Sequence, residues 1–409
     1  MLNTFQAWVA QAVYPYRAKS YSAAAHERLR LNVLLAIALF KLFNFFGGNW
    51  DIQWHVAIGR DSLFIPPHVM VMVAFVAGLA ITLVWITYET SLERRGSPLQ
   101  GAARLGFLRA PLAFYGVMAG YTGALLSAFF DEYWHRTFGI DATLWSPPHL
   151  TIMASTMLVD LSLMIGITTA AYRNGMKFTW RSPFLWGLAL VSAYSFEAVN
   201  FQMSEAFIAG YRAGGVGLMG ILYPVMVGAF FPMALLMSIR LSRTFWIAAL
   251  LFAIALILQF AGTGITAVGF AILKPVSKVE EFVRLNPEST LAKARQFAML
   301  AGFTGLIGFQ QAWSMSLSSL PLGLVALLGV FPWARRHPLV AAPVFSASQV
   351  LFAALWFQQM PLLRSYGTTW QVVALGSVLS VAIGLAAGRI GLFLADRFRP
   401  KMETLADGD

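Results

Sequence analysis

The chain contains no cysteine. Disulfides, iron–sulfur clusters, thiolate zinc sites and a catalytic thiol are therefore excluded, and any bound metal must be held by nitrogen and oxygen. Charge is scarce as well: Asp, Glu, Lys and Arg make up 11% of the 409 residues, against about 25% in an ordinary soluble domain. Hydrophobic residues make up 58% and the mean hydropathy is +0.67. A soluble globular enzyme, a disordered chain and a disulfide scaffold are all ruled out by these figures. The scarcer sign is acidic, 18 residues against 29 basic, giving a net charge of +11. The basic residues fall in short clusters between apolar runs, which is a topology signal rather than a nucleic-acid surface, so no nucleic-acid partner is expected.

What the sequence does have is length of apolar run. Stretches of about 20 residues recur from Leu31 to Leu394, and only a hydrocarbon core about 30 Å thick needs them. The expected fold class is all-α, a polytopic transmembrane bundle of about 9–10 helices with the lipid bilayer as its partner. Spans are expected at 31–50, 67–88, 108–130, 148–171, 182–200, 215–238, 245–268, 304–334, 338–357 and 370–395. The 304–334 stretch is interrupted by Gln310, Gln311 and Pro321 and is read as a single crossing. The polar, mixed segment 1–30 lacks the apolar core and cleavage site of a signal peptide. It is expected to lie at the cytoplasmic interface. The remaining divisions are a membrane domain at 31–172, a helical region at 173–272, an external amphipathic segment at 273–298 and a C-terminal helical region at 299–409.

Alternate loops carry most of the basic residues: Arg17, Lys19, Arg28 and Arg30, then Arg94, Arg95, Arg104 and Arg109, then Arg173, Lys177 and Arg181. Arg240, Arg243, Arg335, Arg336, Arg389, Arg397, Arg399 and Lys401 continue the pattern. This excess places both termini in the cytoplasm of a bacterial inner membrane and turns loops 51–66 and 131–147 toward the periplasm.

Those two loops are copies of one another. Residues 51–68 read DIQWHVAIGRDSLFIPPH and residues 131–149 read DEYWHRTFGIDATLWSPPH. Each lies between two apolar runs, so the repeated unit is helix, motif, helix, and the duplication spans about 31–172. Asp51 and His55 are four apart, as are Asp131 and His135, so on a helical continuation each pair projects from one face. The double proline starts the next helix and puts His68 or His149 on its first turn. Two imidazoles and one carboxylate per copy form a three-ligand set with open coordination positions, as used for catalytic copper, iron or zinc. Asp61 and Asp141 are candidates to orient the imidazoles from outside that set. Of the remaining histidines, His26 and His337 are expected to be solvated.

The spacing Asp-x3-His-x12-His, followed by a related x3-His-x13-His, resembles the C subunit of the particulate methane and ammonia monooxygenases, the copper membrane monooxygenases. The resemblance covers about a third of the chain. It implies that Asp51, His55 and His68 form a first copper triad and that His135 and His149 belong to a second site. At Asp131 the family typically has Asn, so the second site here is more anionic. Copper is the implied cofactor, with non-haem iron as the alternative. The implied activity is oxygen-dependent oxidation of a small apolar substrate, alone, as a homo-oligomer or with partner monooxygenase subunits. A metal transporter or membrane metallochaperone is the competing function.

Three further polar residues fall within apolar runs. Glu197, near the motif-side end of its helix, is a candidate extra ligand or proton relay. Lys41 lies ten residues before Asp51 and Asp160 eleven after His149, about 15 and 16 Å deeper. Matching depths predict an ion pair between the repeats.

Overall fold

The computed structural model describes residues 23–58, 63–97, 99–138, 146–176, 179, 181–212, 225–289, 292, 296, 319–359 and 369–398, excepting the side chains of 55–57, 200–212, 279 and 356–359. It is an all-α polytopic bundle. Its helices are α1 (Ala23–Ala57), α2 (Pro66–Arg94), α3 (Leu112–Phe138), α4 (Pro147–Arg173), α5 (Pro183–Arg212), α6 (Pro232–Ser242) and α7 (Trp246–Leu273). Then follow α8 (Lys278–Leu285), α9 (Leu320–Leu328), α10 (Pro332–Arg336), α11 (Ala341–Gln359) and α12 (Trp370–Phe398). Among the described residues, eight helical stretches are long and apolar enough to cross a membrane. The chain is an integral membrane protein.

The duplicated unit is built as two helix hairpins, α1 with α2 and α3 with α4, each packed along its full partner. Close packing needs missing side chains. A Cβ on Gly120 would stand 2.7 Å from the Ser155 carbonyl oxygen, and one on Gly47 would stand 2.8 Å from Val71 Cγ2. Such small residues let helix backbones approach where lipid gives no hydrophobic drive to association. α5 and α7 pack against this unit, and α6, α11 and α12 pack together beyond it.

Three sequence expectations need correction. The third span begins at Leu112 rather than 108, because Ala103–Leu105 and Leu108–Ala110 pair as an antiparallel hairpin around Gly106, whose φ of +59° suits glycine. α1 begins at Ala23 rather than residue 31, drawing the arginine-rich turn into the helix. His26 is consequently not solvated: it is 4% exposed, its Nε2 lies 2.9 Å from Glu89 Oε1, and its ring stacks on Trp85. The same buried cluster holds Arg30, paired with Glu27 and Glu89, and Arg173, 3.6 Å from Glu27. Arg30 and Arg173 both donate to the Gln100 carbonyl, at 2.9 and 3.0 Å. His337 is exposed, as expected. Residues 304–318 of the 304–334 stretch and the start of 215–238 lie outside the described residues. Of the external segment, Lys278–Leu285 is helical.

The expected ion pair is present. Lys41 Nζ on α1 contacts Asp160 Oδ1 on α4, both buried, and Lys41 also donates to the Thr156 carbonyl at 3.3 Å. Removing one partner of a buried pair strands the other charge, which costs about 3–5 kcal/mol, whereas replacing both with apolar residues is often neutral. Lys41→Met should therefore lower the unfolding temperature of the detergent-solubilised protein sharply. Lys41→Met with Asp160→Leu should recover most of the loss, and a double variant no better than the single would show that the pair is not the joint between the repeats.

Candidate metal centre

α1 continues as a helix through Ala57, so Asp51 and His55 sit on its last turns, one helical repeat apart. Likewise α3 carries Asp131 and His135 on its last turns. At the other end of each loop the double proline occupies the first positions of α2 and α4, where a missing N–H costs nothing. His68 and His149 follow on the first turn and face back toward the carboxylates.

In the second copy the three ligand atoms of Asp131, His135 and His149 all lie within 4.8 Å of one another. Asp131 Oδ1 is 3.2 Å from His135 Nε2 and 3.7 Å from His149 Nδ1, and the two rings are 6.0 Å apart. Two atoms each about 2.0–2.1 Å from a metal, at angles between about 90° and 110°, stand about 2.9–3.4 Å apart. The separations are close to that range. Asp131 and His135 are 8% and 6% exposed at the side chain. Ser146, the residue before the prolines, makes no capping bond; its hydroxyl lies 2.8 Å from His149 Nδ1 instead.

In the first copy His68 Nε2 lies 3.0 Å from Asp51 Oδ1, while His68 Nδ1 lies 3.2 Å from the Leu63 carbonyl. A carbonyl only accepts, so Nδ1 carries the hydrogen in that contact. The neutral ring then turns a lone pair toward a carboxylate oxygen, an arrangement that requires a proton or another cation between them. The donor set thus fits a cation. The side chain of His55, together with Asp61 and Asp141, lies outside the described residues.

Both copies open on one cavity of about 210 Å³. Asp51, His68, Asp131 and His149 line it, with Phe45, Val71, Met72, Phe75, Ile152 and Met153 as apolar wall and Lys41 and Tyr194 deeper in. Glu197 also lines it and is 2% exposed; Gln259 Nε2 on α7 donates to its Oε2 at 2.5 Å. Glu197 is therefore brought to the two clusters.

Sequence reasoning missed several supporting residues. Tyr194, one turn before Glu197, donates to the Ala38 carbonyl at 3.1 Å and lies beneath Lys41 Nζ, 5.2 Å from its ring centre. Its spacing from Glu197 was the available signal. Nothing in the sequence pointed to α7. It braces the motif end of α1, with Gly262 beside Asn49, Gly269 beside Trp50 and Phe270 stacked on Trp54 at 5.7 Å. The Lys278 amide then donates to the Ile58 carbonyl at 2.9 Å.

The fold and site define an integral membrane helix bundle with a duplicated Asp–His motif facing one internal cavity. No protein-family model, curated protein or solved structure matches the chain.

Gln259→Leu would take the amide donor from the buried Glu197 carboxylate, a loss of about 1–3 kcal/mol for a charged group. Its unfolding temperature should fall, and adding Glu197→Gln should return part of it. Equal melting curves for wild type and Gln259→Leu would show that the contact contributes nothing to holding Glu197 in the cavity.

Proposed function

We propose that the chain is a metal-binding membrane protein that takes part in oxygen-dependent oxidation of a small apolar substrate, alone, as a homo-oligomer or with partner subunits. The observation that carries this reading is the convergence of both Asp–His clusters on one cavity with an apolar wall. Asp131, His135 and His149 would hold one ion, and Asp51 and His68, with His55 from the same turns of α1, another. The choice of copper over non-haem iron rests on the resemblance to the copper membrane monooxygenase C subunit. A redox-active metal would supply the activation of oxygen. The chain's own residues hold the ligand oxygens and nitrogens in register, keep the wall apolar and place Glu197 where a proton can be held beside the ligands. The positive-inside pattern supports clusters facing the periplasm of a bacterial inner membrane.

Transport of the metal is the weaker reading. Lys41 lines the inner part of the cavity, and with its charge taken up by Asp160 it has no lone pair to offer a passing cation. Beyond it α1 presents Leu31, Leu34, Ile37 and Ala38, all buried.

Metal analysis of the purified full chain tests the proposal. One to two equivalents of copper are expected, with His135→Ala and His68→Ala each lowering the number. Iron retained in place of copper would move the assignment to the two-histidine, one-carboxylate iron chemistry. Stoichiometry unchanged in the double variant would overturn the assignment of these residues.

Asp131 also sets a quantitative expectation. A carboxylate is drawn to a cation more strongly than an amide dipole, and more so where water is excluded. Asp131→Asn should weaken copper at that site about 10- to 100-fold in a competitive-chelator titration. For the wild type, the same titration should weaken as the solution is acidified, because protons compete for the ligand nitrogens. An unchanged affinity for Asp131→Asn would reduce Asp131 to a helix-end residue.

A further inference from the structure

At the end of the bundle away from the Asp–His clusters, two separate turns bring arginines to one place. The first joins α6 to α7 and carries Arg240 and Arg243; Tyr172, near the end of α4, fixes its level by donating to the Leu241 carbonyl at 3.2 Å. The second joins α9 to α11 and carries Arg335. All three arginines line one cavity of about 310 Å³, completed by Ile239, Thr244, Phe245, Trp246, Gly329 and Pro338. Among the described residues no acidic side chain lines it, the nearest to its arginines being Asp396 behind Arg240.

Each arginine is set in position by its neighbours. Arg240 Nε is held 2.6 Å from Asp396 Oδ1 on α12. Arg335 Nε donates to the Gly329 carbonyl at 2.6 Å, which fixes the guanidinium by one edge. Arg243 takes the left-handed conformation, φ +59°, that ends α6, and lies 5.3 Å from the Tyr172 ring centre. Thr244, Phe245 and Trp246 form the N-terminal end of the 28-residue α7, so the positive pole of a long helix opens on the same cavity. Trp246, Phe331 and Trp333 are each at least half exposed, as aromatic residues are at the level of lipid headgroups.

Arginines that only orient a chain in the membrane need neither a shared cavity nor a helix N-terminus. We propose that this pocket binds a phosphate group, as carried by an anionic phospholipid headgroup at the membrane boundary. The planar guanidinium matches phosphate oxygens two at a time, and basic pockets between helices at the inner boundary are suited to such headgroups. A cavity of this volume takes the phosphate and a glycerol group.

The test uses the full-length protein in nanodiscs of phosphatidylcholine with or without phosphatidylglycerol, followed by native mass spectrometry, and a parallel titration with inorganic phosphate. The wild type should retain phosphatidylglycerol in preference to phosphatidylcholine. Arg243→Gln with Arg335→Gln should weaken retention about 30-fold, and Arg336→Gln, beside the pocket rather than in it, should not. If the glutamine pair does not fold, Arg243→Lys with Arg335→Lys keeps the charge, loses the two-pronged geometry and should weaken retention several-fold. Inorganic phosphate that displaces the lipid and binds alone would make free phosphate the source and leave the site standing. Equal retention of the two lipids by the wild type, or equal phosphatidylglycerol and phosphate binding by the wild type and the arginine variants, would overturn it.

Discussion

The contact between Lys41 and Asp160 is the constraint on which the geometry of the two Asp–His clusters depends. A charge buried in hydrocarbon is tolerated only when it meets its opposite. Here the two partners come from different repeats, one from α1 and one from α4. Pairing them fixes the vertical offset of the first copy against the second. Because each lies ten or eleven residues from its own motif, equal depth for the charges means nearly equal depth for Asp51 and His149. The two clusters therefore meet one cavity from two sides instead of opening at separate heights. Tyr194 extends the joint to α5, which in turn carries Glu197 to the same cavity.

Duplication explains the common plan, and later divergence explains how the two sites differ. Both copies use a helix end for Asp and a double-proline start for His. The residue ahead of the prolines is Ile65 in one and Ser146 in the other. In the first copy the imidazole is oriented by a backbone carbonyl at Nδ1, leaving Nε2 for Asp51; in the second a serine hydroxyl lies at Nδ1, beside Asp131. A carbonyl fixes which nitrogen bears hydrogen, whereas a hydroxyl can donate or accept. The second site thus tolerates either tautomer of His149, and the first constrains His68 to one.

The class of fold was legible because hydropathy over 20 residues leaves no other structure available. The meeting of Asp131, His135 and His149 was legible because a spacing of four with a helix, then a double proline, fixes where side chains point. The Lys41–Asp160 pair followed from rise per residue alone. What did not show is what depends on tertiary neighbours. His26 sits among basic residues in sequence, and its burial requires Glu89 from another helix. The Gly106 hairpin did not show because three-residue strands leave no measurable alternation. The bracing of α1 by Gly262, Gly269 and Phe270 required knowing which helix lies alongside, and no local pattern encodes that.

Polar groups along α1 come at three levels, and each is answered by another helix. Asp51 meets His68 on α2, Lys41 meets Asp160 on α4, and at the far end Glu27 and Arg30 meet Arg173 and Glu89. Between the lower two levels the buried face of α1 is apolar, with Leu34, Ile37 and Ala38 almost fully enclosed, whereas between the upper two Asn44 and Asn49 line the cavity. A permeation path needs groups within a few ångströms of one another all the way across, and from Lys41 to Arg30 α1 offers clusters separated by about 15 Å instead. Paired charges at intervals with packed apolar residues between them act as fasteners. The same arrangement that holds the two repeats in register therefore leaves α1 apolar and packed below Lys41, with the Asp–His clusters and their cavity on the other side of that level.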